Sequence, residues 1–295
     1  MSGIEVHVLG PLRLVVDDVP RAVPGVRRRI LLALLATARG QTVSVDTIVD
    51  ALWGESPPRA ARESLQSHVS RLRGQLGDHG DRLRLVGAGY RLELDDGAVD
   101  ADRAAALARE ARAVLGSEPG LAVARLEEAL ACWRGTALEE FTDVEILGAE
   151  SARLTEMRLG IRDDLLTARL SVGRAGDVVE EAVRATADDP WRESTVQILV
   201  QALAATGRTA DALAAARDFR RRLDDELGLE PSPSFGRLEQ AVAAGELAAD
   251  QLTALPRPGS TGAGRDSPAG TETNGPRGGG AGRRGIPVPP APLLG

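Results

Sequence analysis

Lysine is missing altogether: the 36 basic residues of this 295-residue chain are all Arg. That absence removes the phosphate-loop Lys, the Schiff-base Lys and the Ser-Lys pair, and several enzyme classes with them. Cysteine is nearly missing too. With Cys132 alone, the chain can form no intrachain disulfide and no cysteine-rich zinc site. His7, His68 and His79 share no ligand spacing with Cys132, so no metal site is expected and Cys132 reads as a small core residue. Aromatic residues make up 2%, so burial must rest on Leu, Val, Ile and Ala, which favours helix-rich packing. No apolar run approaches the ~20 residues that span a bilayer, and no apolar region follows a basic start as in an export signal. A cytoplasmic protein without membrane contact is expected. There is no G-x-S-x-G and no metal-binding His pair, and neighbouring acids such as Asp163-Asp164 or Glu180-Glu181 would point about 100° apart on a helix and read as solvated. No catalytic residue and no cofactor is expected.

What is present is an uneven charge. Residues 1–94 carry 13 Arg against 10 Asp or Glu, whereas residues 95–255 carry 18 against 31. Only the first segment can approach a polyanion without large repulsion. Residues 256–295 hold 5 Arg and 2 acids among Pro, Gly, Ser and Thr, and are expected to form a disordered tail.

Along the first segment, Ile4 to Leu9 and Leu12 to Val16 read as two strands, with Gly10-Pro11 between them and the turn Asp17-Asp18 after them. A helix is predicted from Val26 to Thr37, ended by Gly40, and a second from the cap Ser44 to Trp53-Gly54. After Ser56-Pro57-Pro58 a third helix spans Ala60 to Leu76, with Leu65, Val69, Leu72 and Leu76 along one buried stripe. Leu83 to Val86 and Tyr90 to Leu94 then form a hairpin around Gly87-Ala88-Gly89. The order is strands, three helices, hairpin.

From Asp100 to about Leu247 the pattern is helical throughout. Leu165, Ala168, Gly173, Arg174, Asp177 and Ala182 recur 34 positions later as Leu199, Ala202, Gly207, Arg208, Asp211 and Ala216. That period belongs to the tetratricopeptide hairpin, whose stacked copies bury a shared core and leave a groove for a partner. Pro190 falls at a repeat end. Trp133 and Trp191 are expected to pack helices.

Opposite its apolar stripe the third helix presents Ala60, Glu63, Ser67, Ser70, Arg71 and Gly74, with Gln66 and Arg73 on one shoulder. Small residues let the backbone approach closely. A major groove admits one helix, and Arg or Gln there can make bidentate contacts to guanine or adenine. The run Arg27-Arg28-Arg29 can touch phosphate or simply start an exposed helix.

These features carry a resemblance. Residues Ile4 to Leu94 are similar to the winged-helix effector domain of the OmpR type. The stretch Leu52-Trp53-Gly54-Glu55-Ser56-Pro57-Pro58-Arg59-Ala60-Ala61-Arg62, with Leu65 to Arg73 and Gly89-Tyr90-Arg91-Leu92, resembles the Streptomyces antibiotic regulatory proteins, the SARP family. Asp189-Pro190-Trp191-Arg192-Glu193, Gly207-Arg208 and Leu223 to Pro231 resemble that family's bacterial transcriptional activation domain. The fold implied is multidomain and mainly α. It has an α+β winged helix-turn-helix over 1–95, an all-α tetratricopeptide-like activation domain over 96–250, and the tail over 256–295.

The resemblance implies a transcriptional activator that binds direct repeats in double-stranded promoter DNA, self-associates there and engages RNA polymerase. Its targets would be antibiotic or other secondary-metabolite gene clusters, and it would be nucleoid-associated. It places Arg59, Arg62, Gln66, Ser67, His68, Ser70, Arg71, Arg73, Arg84 and Arg91 towards DNA. Trp53, Gly54, Glu55, Ser56, Pro57 and Pro58 form the loop that related domains turn to polymerase. Ser70 stands where OmpR-type domains often have Arg, and the wing tip Val86-Gly87-Ala88 lacks their usual basic residue, so minor-groove contact by the wing is not implied. No receiver domain precedes Ile4 and no Walker motif follows, so neither a two-component output nor an attached ATPase is expected. The alternative reading is a repeat-based protein-interaction or ligand-sensing module whose winged helix binds protein instead of DNA.

Overall fold

The computed structural model describes residues 3–246. The tail expected at 256–295 and the last residues of the segment 96–250 lie outside them. The chain opens with an antiparallel meander of β1 (Ile4–His7), β2 (Arg13–Val16) and β3 (Val19–Arg21). Asp17 and Asp18 both have positive φ, 53° and 61°, the two-residue turn whose twist suits a hairpin. The sequence pattern stops the sheet at that turn and so misses β3. Pro20 argues against a strand, yet all three residues of β3 are exposed at the sheet edge, where proline's missing N–H costs little.

Helix α1 (Val26–Thr37), the short β4 (Val43–Ser44), α2 (Val45–Trp53) and α3 (Ala61–Gln75) follow. A 3₁₀ turn at Gly77–Arg82 then leads into the hairpin β5 (Leu83–Val86) and β6 (Gly89–Leu92). The Ser44 side chain accepts from the Thr47 N–H at 3.0 Å, satisfying one orphan donor of α2. The second sheet has the order β4-β6-β5, and β4 can lie against β6 because residue 89 is glycine. A Cβ there would sit 2.3 Å from the Val43 carbonyl oxygen. Leu65, Val69, Leu72 and Leu76 are all buried, as the stripe on α3 predicts. This is a winged helix.

The rest of the described chain is all-α: α4 (Asp100–Val114), α5 (Pro119–Ala131), α6 (Glu145–Ser171), α7 (Ala175–Asp188), α8 (Glu193–Ala205), α9 (Thr209–Leu227) and α10 (Pro233–Ala244). The 34-residue repeat is visible in the geometry. Gly173 and Gly207 turn the chain at φ 80° and 79°, and Arg174–Asp177 and Arg208–Asp211 pair at 2.9 and 2.7 Å. Ala168, Ala182, Ala202 and Ala216 are fully buried, where small residues let helices approach. Trp133 packs in the core, but Trp191 is 38% exposed in the α7–α8 turn instead of between helices. Cys132 ends α5, half-buried against the core.

The adjacent acids do diverge, but one of them is not solvated. Asp164 meets Arg112 at 2.6 Å, whereas Asp163 is buried and accepts from Arg192, Ser194 and Thr195 at 2.7–2.9 Å, fastening α6 to the start of α8. Two hydrophobic cores result. One runs from Ile4 to Ala168 and the other from Leu166 to Val242, with the 27-residue α6 reaching into both.

The first core is continuous across residue 95. The buried Asp100 carboxylate accepts from the Val8 N–H at 2.7 Å and the Leu9 N–H at 3.2 Å, and pairs with Arg134 at 3.2 Å. Backbone bonds add to this, from Val6 N–H to Ala98, Arg134 N–H to Leu9 and Leu138 N–H to Val8. Arg29 meets Glu140 at 2.6 Å while Glu140 also accepts the Leu12 N–H.

Candidate nucleic-acid interface

Helices α2 and α3 are joined by a loop that begins at Gly54, where φ of 59° ends α2, and runs through the exposed Glu55, Ser56, Pro57 and Pro58. The Ala61 N–H donates back to the Pro58 carbonyl at 3.0 Å, so the loop is tied to the first turn of α3. Glu63 in that turn suits the positive end of the helix dipole. The face of α3 opposite the buried stripe is open, with Arg62, Gln66, Ser67, Ser70, Arg71 and Gly74 all exposed, as is Arg59 in the turn before the helix.

These side chains differ in how free they are. Arg59 and Arg71 make no hydrogen bond or ion pair among the described residues. Arg62 pairs with Asp46 at 2.8 Å, but both groups stay largely in water, where such a pair exchanges readily. The Ser67 hydroxyl donates to the Glu63 carbonyl at 3.3 Å. Arg73 is committed inside the domain, its Nε and Nη2 donating to the Leu83 carbonyl at 2.9 and 2.8 Å and holding the wing against α3. His68 is half-buried against Trp53, with ring centroids 6.1 Å apart. Burial holds its pKa below the usual histidine value, assisted by the nearby Arg28, Arg27 and Arg71 guanidiniums.

On the wing, Arg84 and Arg91 face each other across β5 and β6 and share Glu93, at 3.4 and 2.6 Å. One carboxylate thus offsets two like charges. The wing presents Leu85, 60% exposed.

The Arg27-Arg28-Arg29 run divides three ways. Arg27 lies over the Trp53 ring and Arg29 joins the helical domain, while Arg28 is half-buried near His68. The sequence pattern treats the three alike, because nothing local records which tertiary partner each one meets. Among the described residues no group of His, Cys, Asp and Glu is placed to hold a metal ion, and no helix is long and apolar enough to cross a membrane.

A helix-turn-helix with an exposed Arg- and Gln-bearing second helix, followed by a wing and a helical repeat domain, defines a winged-helix transcriptional regulator. Comparison with known proteins narrows the class. Residues 25–92 match the family described as the C-terminal domain of transcriptional regulatory proteins, and residues 99–243 match the bacterial transcriptional activator domain. The chain is 34% identical to transcriptional regulator RedD of Streptomyces coelicolor, over 86% of this chain and 73% of that one. It is also 34% identical to regulatory protein DnrI of Streptomyces peucetius, over 81% and 92%. The solved structure of Mycobacterium tuberculosis EmbR in complex with a low affinity phosphopeptide superimposes with a TM-score of 0.78 at 30% identity, covering 86% of this chain and 70% of that one. The chain belongs to the SARP family of transcriptional regulators.

Proposed function

We propose that this regulator activates a secondary-metabolite gene cluster, such as one for an antibiotic, by binding direct repeats near the promoter and engaging RNA polymerase through Trp53 to Pro58. The observation that carries the reading is the open face of α3. Arg71 and Gln66 stand free beside Ser67, Ser70 and Gly74, so a groove-bound helix has polar groups for base edges and no bulk to hold it away. The surplus acid of residues 95–255 is unsuited to phosphate, which leaves affinity to the winged helix and activation to protein contacts. The protein performs no enzymatic step and works in the cytoplasm on the nucleoid.

The test begins with selection of bound fragments from the source genome, followed by gel shifts over a salt series. Binding to the selected repeat should weaken steeply with salt as counterions are released, and a reporter behind that repeat should respond to the protein. A chain that shifts no DNA at low salt, yet binds a protein or small ligand through its helical domain, would instead be an interaction or sensing module.

A further inference from the structure

Helices α1, α2 and α3 meet at the side chain of Trp53. Arg27, from the first turn of α1, lies 5.6 Å from the Trp53 ring centroid, and its Nε donates to the Leu52 carbonyl at 3.3 Å. That carbonyl belongs to the last turn of α2, where backbone oxygens lack intrahelical donors, so one guanidinium closes the helix and sits on the aromatic face. His68 on α3 approaches the same indole with its ring tilted by 50°. Its Nδ1 is buried and unpartnered within the described residues, so part of the imidazole faces protein even though α3 is the reading helix.

The loop springs from this point. Gly54 follows Trp53 at once, Ser56 N–H returns to the Trp53 carbonyl at 3.4 Å, and Pro57 and Pro58 stiffen what remains. The far end is bonded to α3 through Ala61. Any tilt of α3 therefore reaches the loop twice, once through Pro58 and Ala61 and once through His68 and Trp53.

We infer that Arg27, Trp53 and His68 form a coupling joint, in which His68 is a positioning residue that passes the seating of α3 on DNA to the orientation of the loop 54–58. This rests on the reading of DNA and polymerase engagement above. His68 then acts through the ring it places beside Trp53, and Arg27 keeps Trp53 from swinging away. Burial, together with the nearby Arg28, Arg27 and Arg71 guanidiniums, holds the imidazole's pKa below the usual histidine value.

The experiment uses the full chain on its selected operator, with transcription by the purified polymerase measured at saturating occupancy so that changes in affinity do not enter. Thermal melts confirm that each variant folds. His68→Ala and Arg27→Ala should lose about tenfold in transcription per occupied promoter, while His68→Phe and Arg27→Lys stay within about threefold of wild type. In a Trp133→Phe, Trp191→Phe background, operator binding should shift Trp53 emission, and His68→Ala should remove the shift. Two results overturn the joint: a His68→Phe variant as defective per occupied promoter as His68→Ala, or Trp53 emission that ignores DNA. A wild-type chain that binds no operator fails earlier and removes the reading on which the joint rests.

Discussion

Free and committed arginines on one helix make opposite predictions. Arg71→Ala should weaken operator binding by about 1–3 kcal/mol with a smaller loss on unrelated DNA, as expected if its guanidinium reads a base. Equal losses in gel shifts on both DNAs would make it a phosphate contact. Arg73→Ala removes two bonds to the Leu83 carbonyl and should cost about 1–3 kcal/mol of stability in urea denaturation, without changing preference between operator and unrelated DNA. His68 adds a pH dependence. Burial holds its folded-state pKa below the usual histidine value, so as pH falls through the ordinary histidine range the unfolded chain takes up the proton more readily, and stability present above that range is lost. The melting temperature of the wild type should therefore fall further between pH 7 and pH 5 than that of His68→Phe, and parallel profiles would contradict the lowered pKa.

Secondary elements were legible where their signals are local. The bounds of α1, the Ser44 cap, the end of α2 before Gly54, the start of α4 and the 34-residue repeat all follow from caps, glycines and apolar spacing within a turn or two. Strands β3 and β4 were not, because three exposed residues with a proline, or two residues in all, show no alternation to read. The open face of α3 was legible as the complement of its buried stripe. The roles of Arg73, Arg29 and Asp163 were not, since each depends on a partner brought in by another element. The linkage between β1 and α4 can be tested directly. Asp100→Ala would strand the Val8 and Leu9 N–H groups and the Arg134 guanidinium, and should destabilise the chain by roughly 3 kcal/mol or more. A loss under about 1 kcal/mol in denaturant titration would show that the junction relaxes around the change.

At the scale of the whole molecule, the winged helix and α4 to α6 share a core, so orientation on DNA should carry through to the helical domain with little freedom between them. Two copies on direct repeats spaced by whole helical turns would face the same side of the duplex, where contacts between them act at high effective concentration. Inserting half a helical turn between repeats should abolish cooperative binding and activation while single-site binding survives. Gel shifts on spacing variants, paired with a promoter reporter, measure both. Cooperativity that persists at every spacing would mean independent or loosely tethered copies.

The sequence by itself determined the order of α1 to α3 and the hairpin after them, the repeat and the open face of α3, because hydrogen bonding within a turn and burial at a fixed period are properties of neighbouring residues. Only the tertiary structure decided which arginines remain available and where one core ends. Arg71 is free and Arg73 is not, although the two are only two positions apart, because the Leu83 carbonyl returns after ten residues of chain to meet one of them. Asp100 likewise becomes a fastening for β1 because folding brings residues more than 90 positions apart into hydrogen-bond reach. Long-range partners of that kind depend on the packed arrangement of whole elements, which no local pattern contains.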